Sequence, residues 1–131
     1  MFSQKLHSEM KFTKIHADEN GETHFTDEEI ELESVEYAPP APALLLSKFE
    51  SAARYAFSGF PAGWFGDWHP TPRRQIYFIL SGELEGKVSD GETRRFGSGS
   101  IEMVEDTTGK GHVTQVVSEE AVHTAVVHLD N

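Results

Sequence analysis

The stretch that decides the fold runs from Gly63 to Gly82 and reads GWFGDWHPTPRRQIYFILSG. Its second half, residues 76–80, is apolar at every position, so the strand that it predicts has no face left for solvent. Its first half holds a histidine, His69, and ends at a glutamine, Gln75. We therefore expect a strand that is covered on both sides, by a second sheet, the N-terminal segment or another subunit, with polar groups near its start.

The same kind of pattern continues on both sides of this stretch. From residue 43 onward, turn residues separate the short apolar runs LLLSKF, ARYAFSGF, QIYFIL, LEGKV, TRRF, SIEMV, HVTQVV and AVHTAVVHL. Ten of the 11 glycines lie between Gly59 and Gly111, and no amphipathic helix interrupts the runs. Strands at this spacing predict an all-β domain, either a sandwich, a jelly roll or a barrel.

The clearest local signal is the Asp90-Gly91 pair between ELEGKV and TRRF. Because aspartate and glycine tolerate positive φ, the pair predicts a hairpin with a two-residue type I′ turn.

Residues 63–82 also match the first motif of the cupin family, G-x5-H-x-H-x3-E-x6-G, at every spacing. Gly63, His69 and Gly82 keep the residue types of that motif, whereas Thr71 stands in its second histidine position and Gln75 in its glutamate position. Residues 99–112 resemble the second cupin motif, G-x5-P-x-G-x2-H-x3-N, in a looser form. There two extra residues follow Gly99, Thr107 takes the proline position and Val116 the asparagine position, while Gly109 and His112 fit.

This resemblance implies a double-stranded β-helix, the jelly-roll barrel of the cupins, over residues 59–129. It also implies a divalent metal ion in the barrel, of the Fe, Mn, Ni, Cu or Zn type, in the positions of His69, Gln75 and His112. Two of the family's four ligand positions have changed, and an amide replaces the carboxylate that would offset the metal charge. We expect an ion that is weakly held or absent. Asp67 or Asp106 could supply the missing carboxylate.

Further candidates surround these positions. Tyr77 shares its strand parity with Gln75 and is the candidate catalytic residue, either orienting a substrate or passing a proton. Arg73 and Arg74 could hold a carboxylate or phosphate group. The candidate substrate-binding residues are Thr71, Arg73, Trp64, Trp68 and His123, with the two tryptophans and Phe65 expected on a glycine-bearing loop. Core packing explains several of them equally well.

Charge excludes some partners. The formal net charge is −11, and residues 18–36 hold nine of the 22 acidic residues with no lysine or arginine. The chain thus offers no basic surface for nucleic acid or an anionic membrane. With no cysteine and no apolar leader at the N-terminus, the sequence favours a cytoplasmic protein without disulfides or thiolate metal sites.

The N-terminal third is less regular. We expect residues 1–10 to be a loose extension, residues 11–42 to form an acidic, proline-rich segment packing on the barrel, and residues 43–131 to form the cupin barrel. Within residues 11–37, Thr26 and Glu29 would suit a capped helical turn, whereas the alternation after Ile30 suits a strand. Three prolines between residues 39 and 42 then require extended backbone.

These observations leave two main hypotheses about function. The first is a small-molecule-binding cupin with a divalent metal, possibly an enzyme of the dioxygenase, isomerase or lyase type acting on a small carbonyl or carboxylate compound. The second is a metal-free binding or sensor protein whose histidines and glutamine form hydrogen bonds to a ligand. A third is a barrel kept for association with itself or a partner, and the doubly apolar strand at residues 76–80 makes a homodimer the expected assembly.

Overall fold

The computed structural model describes residues 10–130, and all of their regular structure is β-strand. The strands are β1 (Lys11–Ala17), β2 (Thr23–Glu29), β3 (Glu33–Val35), β4 (Leu44–Leu46), β5 (Ala52–Phe60), β6 (Phe65–His69), β7 (Gln75–Ser81), β8 (Leu84–Val88), β9 (Thr93–Phe96), β10 (Ile101–Val104), β11 (His112–Val116) and β12 (Val122–Leu129). The all-β prediction is confirmed. No helix in the described part of the chain is long and apolar enough to cross a membrane.

Two sheets form the barrel. A six-stranded sheet has the order β2-β1-β10-β7-β12-β5, and a four-stranded sheet has the order β6-β11-β8-β9. Buried residues from both sheets make one core, with Ile15 and Ile79 from the first sheet and Leu84, Val88 and Phe96 from the second. This is the jelly-roll arrangement that the sequence predicts, with β5 and β6 as edge strands on the same side of the barrel.

The N-terminal residues contribute strands to the barrel sheet. β1 pairs in parallel with β10, and β2 pairs antiparallel with β1, so residues 11–29 extend the six-stranded sheet at its edge. The capped helical turn considered for Thr26 and Glu29 is wrong, because both residues belong to β2. β3 and β4 pair only with each other. The boundary between residues 11–42 and 43–131 stays a prediction, and the predicted extension lies outside the described residues except for Met10.

The hairpin predicted between β8 and β9 is confirmed, but its turn type is wrong. A type I′ turn needs positive φ at two residues, and here only Gly91 has it, at +100°. The Gly91 amide donates to the Val88 carbonyl at 3.1 Å, and the Val88 amide donates to the Glu92 carbonyl at 3.1 Å. The loop therefore has three residues, with glycine in the last position, which is the next most common hairpin geometry.

The prediction for the residues before His69 is also wrong. Residues 65–69 form strand β6, whereas the sequence suggested a loop for Phe65 and Trp68. The glycine in this strand, Gly66, lies against the ring of Trp64, which explains why the run looked too irregular for a strand.

Candidate functional site

A cavity of about 300 Å³ lies between the two sheets. The residues that line it are Phe60, Trp64, His69, Thr71, Pro72, Gln75, Tyr77, Leu84, Glu102, Val104, His112 and Thr114. Six residues that the sequence marked as site candidates are among them: Trp64, His69, Thr71, Gln75, Tyr77 and His112. An aromatic pair, Phe60 and Trp64, packs edge to face at 4.9 Å on one side of the cavity.

The two motif histidines meet in this cavity. His69 ends β6 and His112 begins β11, and the two residues are register partners in the antiparallel pair of these strands. Their ring centroids are 4.8 Å apart. His112 is buried at 6% exposure, whereas His69 is exposed toward the cavity mouth.

One ring nitrogen of each histidine already has a partner. The Nδ1 atom of His69 lies 2.6 Å from the backbone carbonyl of Asp67, so it carries the proton and donates it. The Nδ1 atom of His112 lies 2.7 Å from the Asp106 carboxylate, which is fully buried. In the neutral form of both rings, this arrangement leaves a lone pair on each Nε2 atom. Histidines that bind metals almost always have this second hydrogen bond.

A glycine allows the two rings to come together. Gly111 precedes His112 and has a φ of +78°, a conformation that residues with a side chain rarely adopt. A Cβ atom at this position would collide with the backbone carbonyl of His69. Only glycine therefore lets the start of β11 pass this close to the end of β6.

Gln75 and Thr71 lie next to each other and are both buried. The Gln75 side chain is 7% exposed, and its Nε2 atom donates to the Thr71 hydroxyl at 3.0 Å. That hydroxyl donates in turn to the Arg73 carbonyl at 2.8 Å. The chain of bonds fixes the amide and leaves the Gln75 Oε1 atom as the free acceptor, while Thr71 is occupied with the backbone.

Two side chains that can donate a proton, Tyr77 and Glu102, line the same cavity. Burial, and then the nearby Glu102 carboxyl, raise the pKa of the Tyr77 phenol, so that this hydroxyl stays a donor at neutral pH. Glu102 is the register partner of Tyr77 on β10 and is 5% exposed. Burial is the main cause that raises the pKa of Glu102 to about 7. Sequence reasoning missed Glu102, although a single acid within the apolar strand SIEMV was the available signal.

Three candidates are not among the residues that line the cavity. His123 is exposed on β12 and bonds to the Ser81 hydroxyl at 3.2 Å, because the inward positions of this strand are Val122, Thr124 and Val126. Trp68 is 44% exposed and points outward from β6. Arg73 reaches toward the Leu129 carbonyl at 3.4 Å. None of these three side chains is among those that line the cavity, and their substrate-binding role stays a prediction.

The aspartates near the motifs do not replace the missing carboxylate inside the cavity. The Asp106 carboxylate bonds to the Nδ1 atom of His112. The Asp67 carboxylate accepts a hydrogen bond from the backbone amide of Trp68 at 2.8 Å. Among residues 10–130, no three His, Cys, Asp or Glu side chains come together as a metal-binding group. Besides the Glu102 carboxyl group, the cavity offers two imidazoles and an amide oxygen as possible ligands.

The fold is that of a small cupin. Among solved structures, the chain is similar to the Cnp3 cupin domain of Schizosaccharomyces pombe, with 15% sequence identity, 95% of this chain and 90% of that chain covered, and a TM-score of 0.50. At this identity the likeness shows the cupin fold and nothing beyond it.

Two further solved structures resemble the chain. One is a predicted oxalate decarboxylase from Thermotoga maritima, with 20% identity, 99% of this chain and 100% of that chain covered, and a TM-score of 0.47. The other is a Cupin 2 conserved barrel domain protein from Salinispora arenicola, with 17% identity, coverage of 77% and 76%, and a TM-score of 0.48. No protein-family model and no curated protein matches the chain.

Proposed function

We propose that this cupin binds a small molecule in the barrel cavity together with a divalent transition-metal ion. The Nε2 atoms of His69 and His112 and the Oε1 atom of Gln75 would hold the ion. The observation that carries this proposal is the imidazole pair, whose rings lie 4.8 Å apart and whose Nδ1 atoms both already have an acceptor.

The donor set suits an ion of moderate affinity. Imidazole is a good ligand for Zn, Cu, Fe and Ni, whereas an amide oxygen brings no negative charge to the site. The buried carboxylate of Asp106 compensates in part, since a carboxylate on the outer nitrogen makes the imidazole a better donor. Water or the ligand itself would complete the coordination.

When bound, the ion supplies Lewis-acid polarisation of a ligand carbonyl or carboxylate. The chain's own residues do the rest. The Tyr77 hydroxyl can donate a hydrogen bond to a ligand in the cavity, and Glu102, whose pKa is about 7, can hold or release a proton near neutral pH. Phe60 and Trp64 exclude water from one wall.

A metal-free binding protein is the second candidate, and a specific observation favours it. The Gln75 amide is already fixed by Thr71, as a group that recognises a ligand by hydrogen bonding would be. In this case His69, Gln75 and His112 would be the hydrogen-bonding groups around the ligand, with Tyr77 as a further donor. No carboxylate would be needed at the Gln75 position.

Elemental analysis of untagged protein separates the two candidates. The metal-binding proposal expects near-stoichiometric Fe, Mn, Ni, Cu or Zn, directly or after reconstitution, and its loss in a His69→Ala/His112→Ala variant. A His123→Ala variant is the matched control, because His123 is exposed and lies outside the cavity. Wild-type protein that stays empty after reconstitution would leave the metal-free candidate.

We also propose that the protein forms a homodimer through the outer face of the six-stranded sheet. Two rows of register partners cross four strands on this face, with only apolar side chains. We call them the outer apolar face: Tyr55, Val127, Ile76 and Met103 in one row, and Phe57, Ala125, Phe78 and Ile101 in the other.

The exposure of this face supports an interface. Tyr55 is 74% exposed and Phe57 is 73% exposed, and their ring centroids lie 6.0 Å apart. Contiguous exposed apolar surface of this kind marks interaction sites. A second copy is the fitting partner, because a twofold interface uses the same patch on both subunits and an uncharged apolar face is complementary to itself. Such a dimer would cover the outer side of β7.

A further inference from the structure

Two arginines have no acidic partner within residues 10–130. Arg74, Arg94 and Arg95 each lie within 3.3 Å of a glutamate or aspartate oxygen. Arg54 and Arg73 form no ion pair with any carboxylate in residues 10–130. With 22 acidic side chains against 11 basic ones, leaving two arginines unpaired is unexpected.

The two unpaired arginines converge on one histidine, His128. The Arg54 Nε–H donates to the His128 Nδ1 atom at 3.1 Å. Loss of water, followed by the cations of Arg73 and Arg54, lowers the pKa of His128. The Arg73 Nε atom is buried and has no hydrogen-bond acceptor. Three nitrogen-bearing groups thus face one another with no negative charge between them, an arrangement that an anion would relieve.

Two members of this cluster lie on the same side of the six-stranded sheet as the cavity. His128 is the register partner of Gln75 on β7 and of Arg54 on β5, and directly opposed residues of an antiparallel pair project from the same face of the sheet. Gln75 lines the cavity, so His128 and Arg54 lie on its side of the sheet. Pro72, the neighbour of Arg73 in the chain, also lines it.

We propose that Arg54, Arg73 and His128 form an oxyanion site that binds a carboxylate or phosphate group of the cavity ligand. The guanidinium group presents paired donors that match the oxygens of either anion. This inference rests on the proposed small-molecule binding and adds that the ligand is anionic. It gives Arg73 a binding role outside the cavity wall, whereas Arg74 is already occupied by Glu105 at 2.6 Å.

The test is a titration of the untagged full-length protein with inorganic phosphate and, separately, with acetate at low ionic strength, followed by NMR. Saturable binding should shift the Nε–H signals of Arg54 and Arg73 and the ring signals of His128. Tighter binding of phosphate indicates a phosphate-bearing ligand, and tighter binding of acetate indicates a carboxylate.

Variants locate the site. Arg54→Gln and Arg73→Gln should each weaken anion binding at least tenfold, because each removes a charge-assisted donor. Arg95→Gln is the matched control, since Arg95 is paired with Glu83 and Glu85 on the other sheet. The NMR spectra also report the fold, and because Arg54 is exposed, its variant remains informative if Arg73→Gln unfolds.

Two results would overturn the inference. One is no saturable binding of either anion, and the other is an Arg95→Gln variant as impaired as the Arg54 and Arg73 variants. The outcome is independent of the metal proposal. Anion binding that persists in His69→Ala/His112→Ala supports the arginine site even if the protein holds no metal, and a metal-loaded protein that binds neither anion contradicts this site alone.

Discussion

Each face of the six-stranded sheet departs at some positions from the usual distribution of side chains. The inner face, which lies toward the core, carries polar groups such as Gln75 and Glu102 at 7% and 5% exposure. The outer face carries Tyr55 and Phe57 at 74% and 73% exposure. Buried polar groups lower stability unless they are paired. Exposed aromatic rings do not contribute the hydrophobic stabilisation that their burial would give. These departures are the basis of the two proposals above, a ligand on the inside and a second copy of the chain on the outside.

The largest effect that we predict concerns the backbone that brings the inner polar groups together. Gly111→Ala should lower the free energy of unfolding by about 4 kcal/mol, because the new Cβ would collide with the His69 carbonyl and because φ is positive. Urea unfolding measures the change. The control is Gly91→Ala, which has a positive φ but open space around it and should cost about 1–2 kcal/mol. Equal losses would mean that the close approach of the strands is unimportant.

The second prediction concerns how the burial of Glu102 on the inner face changes the free energy of unfolding with pH. Glu102 has its pKa raised to about 7 from 4.5, so the native state holds this proton more tightly than the unfolded chain. The stabilisation that this proton gives the native state is fully present below about pH 4.5. It is lost as the pH rises through 7, which lowers the free energy of unfolding by about 3 kcal/mol. Glu102→Gln, which mimics the protonated form, should match the metal-free wild type near pH 4.5 and be about 3 kcal/mol more stable at pH 8.5.

Urea unfolding of both proteins at the two pH values tests this account of Glu102. The difference between variant and wild type removes the contributions of the other titrating groups. A difference that stays constant with pH would show that Glu102 titrates normally and that the inner face carries no such cost.

The third prediction concerns the outer face. Phe57→Glu should weaken the proposed dimer at least 100-fold, or about 2.7 kcal/mol, because the twofold axis places two carboxylates in an apolar interface. Light scattering after size exclusion should show a dimer for the wild type and a monomer for the variant. Glu119→Lys alters charge at an exposed position away from this face and should remain dimeric. A monomeric wild type would contradict the proposed association.

The smallest effect concerns the support of the imidazole pair. Asp106→Asn should weaken metal binding about tenfold or more, because the amide holds the His112 ring less firmly and donates less electron density to it. Isothermal titration with Zn²⁺ measures the affinity. In Asp67→Asn the affinity should be unchanged, because His69 bonds to the backbone carbonyl of Asp67 and not to its carboxylate. An equal loss in both variants would assign no special role to Asp106.

The two motifs and strand parity were sufficient to predict much of the inner face. The resemblance of both motifs to those of the cupins implied the barrel and the meeting of His69 with His112, and strand parity predicted the shared orientation of Gln75 and Tyr77; the structure shows all three. Only the shared orientation of Gln75 and Tyr77 depends on local strand parity, whereas the barrel and the histidine pair came from the resemblance. The metal ligation and the role of Tyr77 stay predictions.

Other features depend on pairing between distant strands and could not be predicted. β2 was not predicted because its acidic residues do not show the pattern of a strand, which here is stabilised by pairing with β1. β6 was not predicted because it contains Gly66. His123 was assigned to the pocket because parity alone does not say which face of β12 points inward. The convergence of Arg54 and Arg73 on His128 requires the registers of β5, β12 and β7 together.

The central claim is that the two imidazoles present their Nε2 atoms to one ion. The most direct measurement is a crystal structure of the Co²⁺-soaked protein with anomalous data at the cobalt edge. We predict a single anomalous peak in the barrel cavity, bonded to the Nε2 atoms of both His69 and His112. No peak in the cavity, or a separate peak on each ring, would contradict the claim.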